Sequence, residues 1–185
     1  MRSFAIAAGL FAVATIAKPL NIKRAEAEPC DDDAPPCMTY DQAMQVASNY
    51  GELLSDYSNA AANAYLTRNI VLESDSVNTL INEGCATGAE TLGQPTTVGR
   101  ADFKAGQSAQ PNVPFEILNL WHTCETVIVR WRSAQEPQIV TGNIVLETKY
   151  TGNEAVPYKI SHSYSEFNSG AWLVNDGVFV PTCAA

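Results

Sequence analysis

The second half of this sequence alternates apolar and polar residues with a period of two, and this pattern constrains the fold more than any other feature. Such alternation is typical of β-strands that bury one face. It predicts strands within residues 113–132, at 139–148 and 158–167, and a candidate last strand at 171–180. The short breaks between these segments favour an antiparallel meander.

The first half has helical periodicity instead. Apolar residues recur every three or four positions after Thr39, which forms a capping box with Gln42. The pattern predicts a helix over residues 40–66, or two helices separated near Ser55, and a short helix over 100–107. Short extended segments are predicted at 70–73 and 95–98. Helices followed by long antiparallel strands define the α+β class, with the sheet curled over the helices.

The first 17 residues have the composition of a cleaved secretory signal peptide. Arg2 precedes an apolar run over residues 4–16, which is too short to span a membrane and ends in small residues. Residues 18–36 contain the dibasic pair Lys23-Arg24 and an acidic, proline-rich stretch, and we interpret them as a pro-segment and an arm. The sequence therefore predicts a secreted protein with one domain over residues 37–185.

The cysteine pattern favours disulfides over zinc. The five cysteines lack the close spacing of zinc ligands, and a secreted chain is oxidised. In a meander, Cys124 at the first hairpin and Cys183 after the last strand would be about three strand spacings of ~4.8 Å apart, too far to pair. We therefore expect Cys85–Cys124 and Cys37–Cys183, with Cys30 unpaired.

The charge of the chain argues against nucleic acid and anionic membranes as partners. The net charge is −9, and removal of residues 1–24 would leave 7 basic against 20 acidic residues, a net charge of −13. Binding to phosphate groups relies on lysine and arginine. The sequence also lacks the signatures of nucleotide, flavin and metal sites, so we predict no cofactor and no metal.

Several stretches of the chain resemble a secreted fungal branch of the NTF2-like (SnoaL-like) superfamily. They are SDSVN at 74–78, LNLWH at 118–122, VRWR at 129–132 and YSEFNSGAW at 164–172, and the resemblance covers roughly residues 37–183. It implies a cone in which N-terminal helices pack on a strongly curved antiparallel sheet around a cavity. The superfamily includes dehydratases, isomerases, polyketide cyclases, transport factors and non-catalytic proteins, so the resemblance specifies the fold better than the chemistry.

The predicted strand over 158–167 supplies most of the candidate site. Alternation places five residues on one face, Tyr158, Ile160, His162, Tyr164 and Glu166, and places the intervening lysine and serines on the other. Titratable groups set in an apolar wall suit general acid–base catalysis. The acid–base candidates are Asp75, His122, His162, Tyr164 and Glu166, and the candidate ligand contacts are Tyr57, Trp121, Tyr158 and Ile160.

Structural roles compete with these assignments. His122 can lie at a strand end beside a disulfide, Glu166 can pair with Arg130 or Arg132, and Asp75 can cap a turn. Trp121 and Trp131 share strand faces with apolar residues, which favours packing in the core.

Two functions remain. We favour a secreted protein that binds a small apolar molecule in the cavity between sheet and helices. The alternative is a cofactor-free dehydratase, isomerase or cyclase that acts on a polyketide- or terpene-like substrate. A homodimer through the sheet is a further expectation. Two histidines facing one pocket with a carboxylate between them would favour catalysis, and histidines in separate environments would favour binding.

Overall fold

The computed structural model describes residues 35–182. The predicted signal peptide, almost all of the predicted pro-segment and arm, Cys30 and Cys183 lie outside the described residues. Within residues 35–182, no helix is long and apolar enough to cross a membrane.

The described chain forms five helices and six strands. The helices are α1 (Tyr40–Ser55), α2 (Asn59–Tyr65), α3 (Asp75–Ile81), α4 (Arg100–Gln107) and α5 (Ser169–Asn175). The strands are β1 (Leu66–Glu73), β2 (Pro95–Val98), β3 (Glu116–His122), β4 (Thr126–Ser133), β5 (Val140–Tyr150) and β6 (Tyr158–Phe167). This arrangement confirms the α+β class.

Side-chain caps mark the starts of α1 and α2. The Thr39 hydroxyl accepts from the Gln42 backbone N–H at 3.3 Å, and the Gln42 side-chain oxygen accepts from the Thr39 N–H at 2.9 Å, which completes the capping box of α1. The chain breaks after Ser55, and the Ser58 side chain caps α2 by accepting from the Ala61 N–H at 3.0 Å. The alternative of two helices is therefore confirmed.

The six strands form one sheet in the order β2-β1-β6-β5-β4-β3. The strands β3 to β6 form the predicted antiparallel meander. The sheet is nevertheless mixed, because β1 pairs with β6 in parallel. Parallel neighbours need a long connection. Here the rest of the domain, from α3 to β5, separates β1 from β6 and allows the parallel pair.

The core lies between α1 and the inner face of the sheet. Ala43 and Ala47 of α1 are fully buried, and such small side chains allow the helix to approach the sheet closely. Val129, Ile144 and Leu146 present the facing surface and are buried to 1% exposure or less. Each fully buried aliphatic side chain of this kind contributes about 1.5–3 kcal/mol of transfer free energy.

Two helices differ from what the sequence predicts. Residues 171–180 were predicted as a strand, but α5 covers Ser169–Asn175, and its N-terminus is capped by the Asn168 side chain, which accepts from the Ala171 N–H at 3.0 Å. A short apolar run cannot be assigned to helix or strand by periodicity alone. The short helix α3, capped by Ser74, was not predicted at all.

The disulfide in the structure joins Cys37 to Cys124, so both predicted pairs, Cys85–Cys124 and Cys37–Cys183, are wrong. The Cα atoms of Cys37 and Cys124 are 4.2 Å apart. The Met38 N–H donates to the Cys124 carbonyl at 3.3 Å, which holds the segment before α1 against the β3–β4 hairpin. Cys85 is exposed and has no disulfide partner among the described residues. It follows α3, which packs against α5, β6 and β2.

Candidate ligand-binding cavity

A cavity of about 510 Å³ lies between the sheet and the helices α1, α3, α4 and α5. Sites for small molecules usually have volumes of about 300–1,000 Å³ and mostly apolar walls. The strands β1, β2, β4, β5 and β6 each contribute residues to the wall, as does the segment between α4 and β3. The sheet therefore forms the floor of the cavity and the short helices form its sides.

Helix α3 contributes an apolar stripe to the wall. Val77, Leu80 and Ile81 all line the cavity, and their spacing of three and four places them on one helix face. Helix α4 forms another part of the wall with the buried Phe103. It starts after Gly99, whose φ of 94° suits glycine.

Aromatic side chains make up much of the inner surface: Tyr50, Phe103, Trp131, Phe167 and Trp172. The Trp131 ring stacks on Phe115, which lies outside this wall, at a centroid distance of 5.3 Å, and meets the Phe167 ring edge at 5.8 Å. Burial raises the pKa of Tyr50 and outweighs the hydrogen bond from Ser163 Oγ, so the phenol stays neutral.

Close packing on the sheet sets the position of Trp131. A Cβ atom on Gly142 would lie 2.6 Å from Phe167 Cβ and 2.9 Å from Trp131 Nε1. Only glycine leaves room for both aromatic rings at this point. Trp131 Nε1 is buried and has no hydrogen-bond partner among the described residues.

The charged residues in the wall are all acidic. Glu73, Asp102 and Asp176 line the cavity, and its described wall contains no lysine, arginine or histidine. Glu73 Oε1 lies 2.9 Å from His162 Nε2, behind the wall. Asp102 Oδ2 accepts from the Val98 N–H at 3.3 Å. Residues 35–182 provide no group of three or more histidine, cysteine or acidic side chains that could hold a metal ion.

The described cavity wall contains none of the nine residues that the sequence suggested for catalysis or ligand contact. For His162, Tyr164 and Glu166 of β6, the reason is a β-bulge. Ile160 pairs with Thr148, and His162 pairs with the adjacent Glu147, so Ser161 is an extra residue between them.

The bulge inverts the predicted face of β6 beyond residue 161. Tyr158 and Ile160 are buried as predicted, at 3% and 1% exposure. After the bulge Ser163 is the buried residue, with 0% exposure, while Tyr164 is 38% exposed. The expectation that residues 158 to 166 share one face is therefore wrong for its second half. A shift of one residue moves every later side chain to the opposite face.

The two histidines lie in separate environments. His162 stacks on Tyr164, with centroids 4.3 Å apart and planes 11° apart, and pairs with Glu73. His122 lies at the end of β3, where its Nδ1 is 3.0 Å from the Thr123 carbonyl oxygen. This is the strand end beside a disulfide that the sequence offered as the structural alternative for His122.

Glu166 and Asp75 stabilise the start of α3 rather than line the cavity. The Glu166 carboxylate accepts from the Asp75 and Ser76 N–H groups at 2.9 and 3.0 Å, and from the Ser76 hydroxyl. A carboxylate at this position also favours the positive end of the helix dipole. Asp75 Oδ1 accepts from the Gly93 N–H at 2.6 Å. The suggested arginine partners of Glu166 are not used, since Arg132 pairs with Glu116 at 2.5 Å and Arg130 donates to Asn119 Oδ1 at 3.4 Å.

The suggested ligand contacts lie at separate places in the domain, two of them in the core. The Tyr57 hydroxyl donates to Asn59 Oδ1 at 2.8 Å, and its ring approaches Phe103 at 6.4 Å, behind the cavity wall. The buried Tyr158 donates to the Pro36 carbonyl at 2.5 Å. Trp121 is 54% exposed, so the predicted core packing holds for Trp131 and not for Trp121. The roles of the nine residues in catalysis and ligand contact stay predictions.

Comparison with known proteins places this fold in a family. A family model for the NTF2-like domain matches residues 36–179, and the chain belongs to that family. A comparison with curated proteins gives no match.

Two solved structures agree in fold, and a third is less similar. A candidate ketosteroid isomerase from Kribbella flavida is 14% identical, with a TM-score of 0.51 over 78% of this chain and 84% of that one. A de novo designed protein with a curved β-sheet is 12% identical, with a TM-score of 0.50 over 76% and 97% of the two chains. A SnoaL-like protein of unknown function from Burkholderia thailandensis is 12% identical, with a TM-score of 0.48 over 70% and 98%.

Proposed function

We propose that this protein binds a small apolar molecule in the cavity between the sheet and the short helices. The observation that carries the proposal is the aromatic and aliphatic wall around about 510 Å³ of space. The cavity is partly open to solvent, so its apolar wall is in contact with water in the free protein. A bound apolar molecule would remove that surface from water, which is favourable.

The separation of the two histidines supports binding over acid–base catalysis. His122 contacts the Thr123 carbonyl oxygen at the end of its own strand, and His162 contacts the cavity wall only through Glu73. No pair of histidines flanks a carboxylate on the described wall. The geometry thus favours a binding cavity.

Cavity filling tests the proposal. The change Leu80→Trp enlarges a residue of the wall and should abolish binding of an apolar probe such as octanol, whereas Thr79→Trp on the next position of α3 lies outside the wall and should leave binding intact. Native mass spectrometry of protein from its own host would reveal a co-purified molecule. Equal binding by both variants would contradict the proposal.

Proton transfer by Glu73 is the second candidate function, because this carboxylate lies in the cavity wall and pairs with His162 at 2.9 Å. A histidine in contact with a carboxylate can hold and return its proton. Incubation with cyclohexanone in D₂O would then give deuterium beside the carbonyl, measured by NMR. Glu73→Gln should abolish the exchange, and Glu147→Gln on β5, which pairs opposite His162 but lies outside the cavity wall, should not. Exchange no faster than in buffer would contradict this candidate.

Secretion remains part of the proposal. The disulfide between Cys37 and Cys124 supports it, because disulfides persist in oxidising compartments. Intact mass of the protein from culture medium tests it, and a mature chain that starts at Met1 would refute it.

A homodimer through the sheet also remains a proposal. An apolar row crosses the outer face through residues that pair in register on β3 to β6: Trp121, Ile128, Val145 and Tyr164. Trp121 is 54% exposed, so a second copy would remove a large apolar side chain from water. Trp121→Asp should shift the mass measured by light scattering from dimer to monomer, and Asn119→Asp on the same strand should not. A monomeric unaltered protein would refute the dimer.

A further inference from the structure

We infer that the cavity selects an organic cation, namely an amine or quaternary ammonium group on an apolar body. This inference rests on the proposed binding function and specifies its ligand class. It combines two independent observations on the wall, the aromatic lining and the sign of the charges. Neither observation depends on the candidate residues that lie outside the cavity.

The aromatic lining supplies the first half of such a site. Trp131 and Trp172 line the cavity together with Phe103, Phe167 and Tyr50. The face of an aromatic ring attracts a cation, tryptophan most strongly, and sites for quaternary ammonium groups are built from such rings. A wall of neutral aromatic rings therefore favours a cationic group over an anionic one.

The carboxylates supply the second half. Asp102 and Asp176 line the cavity from solvent-exposed positions, and no salt bridge reaches either of them within residues 35–182. Asp176 follows the C-terminus of α5, where the helix dipole is negative and adds to the same field. Glu73, the third carboxylate, is paired with His162.

The basic residues nearest to Asp102 in sequence, Arg100 and Lys104 of α4, lie outside the wall, and the Arg100 guanidinium donates to the backbone carbonyls of Asn63 and Leu66. From residue 69 to residue 99, the chain that forms most of β1, α3 and β2 contains four acidic residues and no lysine or arginine. After Lys159 the chain again contains no lysine or arginine. An anionic ligand such as a fatty acid would meet three like charges in the wall, against one unpartnered donor, Trp131 Nε1.

Four octyl compounds of different charge test the inference: octylamine, octyltrimethylammonium, octanol and octanoate. Isothermal titration calorimetry at pH 7 should give about tenfold tighter binding of each cation than of octanol, with octanoate weakest. The double change Asp102→Asn and Asp176→Asn should reduce the preference for cations about tenfold and leave octanol binding unchanged. Unchanged octanol binding would show that the cavity is intact.

A matched control is Asp41→Asn, because Asp41 lies in the first turn of α1 as Asp102 does in α4, but outside the cavity wall. It should leave the preference unchanged. Binding of octanol with no preference for the cations would overturn the inference and leave the proposed function standing. Binding of none of the four compounds would overturn both. A cation preference that survives the double change would overturn the role of the two carboxylates.

Discussion

Removal of the disulfide between Cys37 and Cys124 should lower the free energy of unfolding of the domain by several kcal/mol. The change is Cys37→Ser with Cys124→Ser, which leaves no new unpaired thiol. Both cysteines are exposed, so serine costs little in the folded state. The loss acts on the unfolded chain, which gains the freedom that the crosslink removed.

The size of the effect follows from the loop that the disulfide closes. The two cysteines are 87 residues apart. The loop-entropy relation gives about 4.6 kcal/mol at 25 °C for a loop of this length. Whole domains are stable by about 5–15 kcal/mol, so the variant should be close to the threshold of unfolding.

Urea denaturation followed by tryptophan fluorescence measures the difference in the free energy of unfolding. Cys85→Ser is the matched control, because Cys85 is a free and exposed thiol, and it should change stability by less than about 0.5 kcal/mol. A double variant within about 1 kcal/mol of the unaltered protein would refute the pairing or the entropic reasoning. A non-reducing peptide map that joins Cys85 to Cys124 would refute the pairing itself.

Further predictions test the sheet and its buried phenol. Ser163→Asp should lower the free energy of unfolding by several kcal/mol, because it buries an unpaired charge. Tyr164→Asp on the outer face should lower the melting temperature only slightly. The reverse order of the two effects would refute the bulge. Gly142→Ala should cost about 1–3 kcal/mol in urea denaturation because its Cβ would lie 2.6 Å from Phe167 Cβ, and a neutral effect would contradict the close packing. Burial raises the pKa of Tyr50, so the unfolded state releases this proton first and stability falls as the pH rises above about 10. Tyr50→Phe should reduce that slope by up to about 1.4 kcal/mol per pH unit in alkaline denaturation, and an unchanged slope would contradict the burial.

Local patterns in the sequence were sufficient for most elements of the fold. The capping box at Thr39 and the apolar stripe that follows it identify α1, because both depend on residues within one or two turns. Alternation identifies β3 to β6 for the same reason, since adjacent side chains of a strand point to opposite faces. The resemblance to the NTF2-like superfamily added the arrangement of helices on a curved sheet.

The candidate site could not be predicted in the same way. The apolar stripe Val77, Leu80 and Ile81 was available as a helical signal, but a seven-residue helix is too short for periodicity to identify. The wall aromatics come from five separate elements, and no local pattern relates Tyr50 to Trp172. Only the packing of the short helices against the sheet brings them together.

The sequence by itself determined the class of the fold, the strands of the meander and the acidic character of the chain. The tertiary structure decided which faces look inward and which cysteines meet. One extra residue at Ser161 reverses the inward face of β6, and alternation cannot show it because a bulge is defined by the neighbouring strand. The pairing of Cys37 with Cys124 likewise depends on where α1 lies against the β3–β4 hairpin. Both features are set by contacts between residues far apart in the chain, which local periodicity does not encode.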